Sequence, residues 1–189
     1  MRVIKILNPR YLESGAIDCE VLFEGMGEFV PYTATSEDTA TTGQRVWREL
    51  QSGKWGEIAP FTVTPELIAA AKEAKKREIE AWRTEQEALP FTFEWKGRTW
   101  NAGPDSMARL YPVVMAAKSD TARTTLAWGD ADNQLVKLSM PELEELATAM
   151  AQAQVDRNDE IYQRQREMKE RLSSLDDLRS IRAMTISSS

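Results

Sequence analysis

Three side chains that offer oxygen ligands lie close together in one short segment: Asp130, Asp132 and Asn133. Such oxygens bind calcium in a loop that has glycine at its sixth position and glutamate at its twelfth. Counted from Asp130, those positions hold Leu135 and Pro141, so the calcium pattern fails. Asp and Asn also favour turns, because their side chains accept hydrogen bonds from nearby backbone amides. The segment is therefore interpreted as the turn of a hairpin.

Other residue types that support catalysis are scarce. The chain has no histidine, which excludes histidine-based triads and imidazole zinc sites. Cys19 falls on an alternating apolar segment, where a buried thiol is the ordinary role. Glu142, Glu144 and Glu145 lie on an amphipathic stretch and are interpreted as a solvated helix face. No glycine-rich phosphate-binding motif occurs. We therefore predict that the protein is not an enzyme and uses neither a cofactor nor a metal.

The composition restricts the partners. The 189 residues carry a net charge of −6, which argues against nucleic-acid binding because no counterions would be released from phosphates. No apolar run approaches the roughly 20 residues of a membrane helix. The first residues, MRVIKILNPRY, are interrupted too early to be a signal peptide. We expect a protein made in the cytoplasm that binds neither nucleic acid nor membrane.

Hydrophobic periodicity predicts an α+β protein of two small modules. In residues 1–60, apolar side chains at every second position predict a small β-rich module: Ile17, Cys19, Val21 and Phe23. The following stretch predicts one helix, with Ser36 as its N-cap and Gly53 just beyond its end. Pro60 and Pro65 bracket the predicted boundary.

Residues 61–183 predict the order helix, hairpin, helix, hairpin, long helix. The first helix spans 65–88, and Lys96-Gly97 forms the turn of the first hairpin. Asp105 or Ser106 is the expected cap of the middle helix, in which Pro112 requires a kink or a late start. The second hairpin pairs residues 124–128 with 135–138. Residues 184–189 are expected to form a flexible tail.

The long helix begins with a capping box formed by Ser139 and Glu142 and is expected to reach about residue 172. Gln154 and Arg157 interrupt its apolar seam. Because its first third is apolar and the rest is highly charged, we expect it to dock at one end and to project at the other. A short helix over about 174–182 follows. Whether the long helix pairs with a second copy stays open, since polar seam positions can also set register.

Candidate partner contacts follow from exposed aromatic residues and from the projecting helix. Trp55 lies between two glycines, where a core position is hard to build. The remaining candidates lie on the long helix: Met150, Ile161, Tyr162 and Met168.

The order of these pieces from about residue 60 to 182 resembles a small domain that recurs in bacteriophage and prophage tail proteins. The resemblance is to the tail fibre assembly chaperones in particular. It is carried by "FTFEWKGRTWNAGPDSMARL" and "TLAWGDADNQLVKLSMPELEEL". In the second stretch a Trp, a short acidic or amide loop, a Ser or Thr cap and E-L fit the family pattern. The stretch from Val30 to Phe61 is similar to segments that precede such domains.

The resemblance implies a function without catalytic residues. A tail fibre is a long, β-rich trimer that exposes strand edges while it folds. The implied protein acts in the host bacterial cytoplasm, binds the fibre or another tail protein, and aids folding, trimerisation or attachment. The alternative is a structural tail or baseplate protein that stays in the virion.

Overall fold

The computed structural model describes residues 1–119 and 125–187, and it is an α+β protein. The chain forms two compact units, Met1–Thr64 and Pro65–Ser189. The predicted break after residue 60 lies a few residues before this division. No helix in the described ranges is long and apolar enough to cross a membrane.

The first unit is a three-stranded antiparallel sheet with one helix. Its strands are β1 (Val3–Tyr11), β2 (Ile17–Phe23) and β3 (Val30–Ala34), with β2 in the middle, and its helix is α1 (Thr41–Gln51). The predicted alternation on β2 is confirmed, because its residues 17, 19, 21 and 23 are all buried. They pack with Val46 and Leu50 of α1 in one core.

The predicted N-cap of α1 is wrong. The helix begins at Thr41 after Ala40, and Ser36 lies outside it. The backbone N–H of Ala40 donates to the Asp38 carboxylate at 2.8 Å. Such a local bond competes with helical hydrogen bonding, so the chain stays non-helical until the carboxylate is passed.

The second unit contains four helices and two hairpins. Its elements are α2 (Pro65–Ala88), β4 (Phe91–Trp95), β5 (Arg98–Ala102), α3 (Pro104–Ala117), β6 (Thr125–Gly129), β7 (Leu135–Ser139), α4 (Met140–Ser174) and α5 (Leu178–Ala183). Lys96 and Gly97 both have positive φ, as a two-residue type I′ turn requires. The predicted order of elements is confirmed, except that residue 124 lies outside the described residues.

The predicted cap of α3 is also wrong. Gly103 occupies the N-cap position, and Pro104 opens the helix, so neither Asp105 nor Ser106 caps it. Gly103 has φ of 110°, and a Cβ there would lie 3.0 Å from the Cα of Pro90. The close approach of these backbones fixes the helix start. Pro112 lies inside the helix.

The capping box of α4 is confirmed. The Glu142 N–H donates to the Ser139 hydroxyl at 3.3 Å, and the Ser139 N–H donates to the Glu142 carboxylate at 3.1 Å. From this start α4 runs for 35 residues.

The expected projecting end of α4 is wrong. Its second half buries Ile161, Gln165, Met168 and Leu172, and it lies antiparallel to α2. Lys72 Nζ donates to the Ser173 carbonyl at 3.3 Å. Farther along α2, Glu80 pairs with Lys169, which precedes Ser173 on α4, so the two helices run in opposite directions. The sequence does not predict this contact, because both helices carry many exposed charges and the buried apolar seam between them is narrow.

The expected tail is shorter than predicted. Met184 is buried directly after α5, and the Ser187 carbonyl accepts a hydrogen bond from Arg164 Nε at 3.0 Å. An apolar side chain and one backbone bond thus hold residues that we expected to be loose. Residues 188–189 of the predicted tail lie outside the described residues.

Candidate functional site

The loop with three oxygen-bearing side chains is a turn organised by Asp130. Its carboxylate accepts from the N–H groups of Asp132 and Gln134, at 3.0 and 2.8 Å, and from Arg98 at 2.9 Å. Asn133 has φ of 61°, the left-handed conformation that closes a three-residue hairpin loop. The hydrogen bond from Gln134 is the main cause that lowers the pKa of Asp130, and the guanidinium of Arg98 adds to it. The turn interpretation is confirmed.

The environment of the Cys19 thiol and the spacing of the carboxylates do not favour catalysis or metal binding. Burial, with a smaller contribution from the Asp18 carboxylate, raises the pKa of the Cys19 thiol to about 11. At neutral pH this sulfur is therefore a thiol and a poor nucleophile. Within residues 1–119 and 125–187, no three His, Cys, Asp or Glu side chains are grouped to hold a metal ion.

Three of the four predicted contacts on α4 are not available on the surface. Met150, Ile161 and Met168 expose 1%, 6% and 2% of their area. The prediction that these three residues contact a partner is wrong, because they form the apolar seam of α4, which the other elements of the unit cover. Tyr162 is different, because 55% of its area is exposed.

Trp55 is partly covered within the first unit. Its Nε1 donates to the Glu49 carboxylate at 2.9 Å, and Lys54 Nζ lies 4.6 Å from its ring centroid. The ring also packs against the core of the sheet and α1. Trp55 is thus partly buried by its neighbours within the fold.

An apolar groove that the sequence patterns did not predict lies between α3 and α4. The groove has a volume of about 380 Å³ and a mostly apolar wall. Its lining comprises Met107, Leu110, Tyr111, Val114 and Lys118 of α3 and Glu144, Ala147, Thr148 and Ala151 of α4. Small side chains on α4 leave the space that the larger side chains of α3 border. The spacing of 107, 111 and 114 with the alanines at 147 and 151 is the signal from which this site could be predicted.

Exposed apolar side chains border this groove. On α3, Tyr111 exposes 64% and Met115 exposes 49% of its area. On α4, Val155 follows Ala151 by one turn and is 53% exposed. We call these three exposed residues, together with the groove, the α3–α4 surface. Exposed apolar side chains around an apolar groove are typical of interaction sites.

Comparison with known proteins identifies one family. Residues 70–185 match the model of a family described as "Domain of unknown function (DUF4376)". The match begins within α2 and continues beyond α5, so it includes both hairpins and the whole α3–α4 surface. No curated protein and no solved structure shows significant similarity to the chain.

Proposed function

We propose that this chain, which belongs to the DUF4376 family, acts by binding another polypeptide. The observation that carries the proposal is the α3–α4 surface. It combines an apolar groove with exposed aromatic, methionine and valine side chains, and the charged residues in the groove lining are Lys118 and Glu144. Such a surface fits an apolar segment of a partner better than a small polar substrate.

The partner we propose is a phage tail fibre, and the role is that of an assembly chaperone. Support comes from the two stretches that resemble this group of proteins, which form the β4–β5 hairpin with the start of α3 and the β6–β7 hairpin with the start of α4. A β-rich trimer has many non-local contacts and folds slowly, so its apolar segments stay exposed for long periods. A bound chaperone shields such a segment until the correct chain replaces it.

Co-expression with the fibre tests the proposal. We expect more soluble trimeric fibre in the presence of the protein than in its absence, and equal yields would refute the chaperone role. Ala151→Arg places a charged side chain in the groove and should abolish the gain. Ala81→Arg, at an exposed site on α2, is the matched control and should preserve it.

Mass spectrometry of purified virions distinguishes the alternative. A structural tail or baseplate protein would be present in fixed proportion to the other tail proteins. A chaperone that leaves before maturation would be absent or far below stoichiometry.

A further inference from the structure

The outer edge of β4 has backbone groups that point away from its own hairpin. In the β4–β5 register Trp95 faces Arg98, Glu94 faces Thr99 and Phe93 faces Trp100. A two-residue turn closes on a hydrogen-bonded pair, and hydrogen-bonded and non-bonded pairs alternate from there. Thr92 and Glu94 therefore direct their N–H and C=O groups away from β5.

A contact on the opposite edge of the hairpin agrees with this assignment. Thr99 pairs with Glu94, so its backbone groups should point away from β4. Its carbonyl accepts from the N–H of Ala131 at 2.9 Å, which requires that outward direction. The outer edge of β5 is thus held by the turn of the second hairpin.

The outer edge of β4 has no such cover in the described part of the chain. Its sheet has two strands, and no backbone hydrogen bond from outside the hairpin reaches Thr92 or Glu94 within residues 1–119 and 125–187. The outer strands of the first unit are partly blocked. Pro31 removes a donor from β3, and Ala59 bonds to Pro9 and Tyr11 at the end of β1. Proteins commonly block free edges in these ways, and β4 lacks both devices.

A trough of about 520 Å³ runs beside this edge. Phe91, Thr92 and Phe93 of β4 form one wall, and Ala153, Asp156, Arg157 and Glu160 of α4 form the other. The two phenylalanines are half-buried, whereas Thr92 and Glu94 are exposed, as strand alternation requires. The Arg157 guanidinium lies 5.2 Å from the Phe91 ring centroid, so this cation is already paired with a π face.

The exposed charge on the α4 side of the trough is acidic. Asp156 and Glu160 are one turn apart and both are exposed. A segment that added to β4 would therefore encounter two phenylalanines and, next to them, two carboxylates. Complementary chemistry is an apolar side chain at one position and a lysine or arginine two residues away on the same face.

We propose that β4 binds an extended segment of a partner polypeptide by strand addition. The segment hydrogen-bonds to Thr92 and Glu94, packs an apolar side chain on Phe91 and Phe93, and places a basic side chain beside Asp156 and Glu160. This mode is one of the recurring ways in which a sheet edge recognises a peptide. The inference rests on the proposed function only for the origin of the segment, a β-rich fibre.

A designed peptide tests this site directly. The probe is a blocked peptide with Val, Lys and Val at alternate positions and Thr at the positions between and at the ends. We expect titration into the labelled full-length protein to shift the amide signals of Thr92 and Glu94, with a Kd on the order of 1 mM or tighter. Absence of such shifts at peptide concentrations several times that value overturns the proposal.

Paired proline variants test the backbone contact. Thr92→Pro removes the donor on the free edge, and Asn101→Pro removes the donor of its partner residue on the β5 edge. Both leave the bonds between β4 and β5 intact. We expect Thr92→Pro to weaken peptide binding by about three- to tenfold, and Asn101→Pro to leave it unchanged. Equal effects of the two prolines contradict strand addition at β4.

Charge variants test the site without altering the strand. Glu160→Lys should weaken binding of the lysine peptide by about two- to fivefold, whereas Glu170→Lys, exposed elsewhere on α4, should not. A peptide with Glu in place of Lys should show the reverse preference. Peptide binding without any gain in fibre yield would remove the chaperone role and leave this site. A gain in fibre yield without peptide binding would remove this site alone.

Discussion

The guanidinium of Arg98 donates to the carboxylate of Asp130 at 2.9 Å and thereby joins the first hairpin of the second unit to the turn of the second. The contact brings together residues 32 positions apart. The same carboxylate also accepts hydrogen bonds from two backbone amides of its own turn. The stability of this arrangement should therefore depend on pH.

The first prediction concerns Asp130→Asn. The asparagine can still accept the two backbone hydrogen bonds but loses the charge. Because the folded state lowers the pKa of Asp130 below 3.8, the charge stabilises the fold above that pH and loses its effect as the pH falls through the folded value. The midpoint temperature of thermal unfolding should therefore be higher for the wild type than for the variant at pH 7, and this difference should become smaller below about pH 4.

Asp132→Asn is the control for that prediction. Asp132 lies in the same turn and contributes its backbone N–H and carbonyl, while its side chain is exposed. Two outcomes would contradict the role assigned to the Asp130 charge: a difference in midpoint temperature that stays constant down to pH 2, or an equal decrease in midpoint temperature in both variants.

The second prediction concerns Gly43, which is buried in the first turn of α1. A Cβ at this position would lie 1.8 Å from the Asp38 carboxylate. Gly43→Ala should therefore destabilise the protein, by on the order of 1 kcal/mol, because Asp38 must give up its bond to the Ala40 N–H. Urea unfolding measures the change.

A double mutant gives this prediction its sharpest form. In an Asp38→Ala background the space is vacant, so Gly43→Ala should stabilise by up to about 1 kcal/mol through helix propensity. The same substitution is then expected to change sign between the two backgrounds. Equal effects in both would show that Asp38 and Gly43 are not coupled.

The third prediction concerns the start of α4. Ser139→Ala removes the acceptor for the Glu142 N–H and should cost about 1 kcal/mol. Ser173→Ala, near the other end of the same helix, removes a hydroxyl that only donates to a carbonyl three residues back, and it should cost little. The two variants are compared by their unfolding midpoints in urea at neutral pH.

The fourth prediction separates core from surface on α4. Met150→Ala leaves a cavity in the core and should cost about 2 to 5 kcal/mol. Val155→Ala changes a side chain that is 53% exposed and should alter stability by less than about 0.5 kcal/mol. In co-expression with the fibre the ranking should be reversed: per folded molecule of the variant, Val155→Ala should reduce the yield of soluble trimeric fibre more than Met150→Ala. A stable Met150→Ala would indicate that this core packs loosely.

How much of this fold can be read from sequence depends on the distance over which each feature is determined. The Ser139–Glu142 box and the Lys96-Gly97 turn were predictable, because each is decided within four residues. The start of α1 was not, because the side chain of Asp38 reaches over the first turn to Gly43. Gly103 hides the start of α3 for a similar reason: its partner, Pro90, lies before the hairpin.

The candidate site shows the same limit. Periodicity identifies one face of α4 but not what covers it, so it predicts partner contacts at Met150, Ile161 and Met168, which are buried within their own unit. Gln165 is also buried on that seam, which hydropathy alone would place in water. The α3–α4 groove requires two helices separated by 22 residues of sequence to lie together. The free edge of β4 can be identified only when its register is known.

The antiparallel contact between α2 and α4 has a consequence for the order of synthesis. Lys72 lies against Ser173, and the two residues are 101 positions apart. A ribosome that has just released α2 must still deliver both hairpins, α3 and nearly all of α4 before that contact can form. During this interval Ile79 and Trp82, which are buried in the finished protein, have no seam to cover them. The pairing of α2 with α4 therefore forms only after nearly the whole second unit has been translated, and until then the apolar stripe of α2 is exposed in the nascent chain.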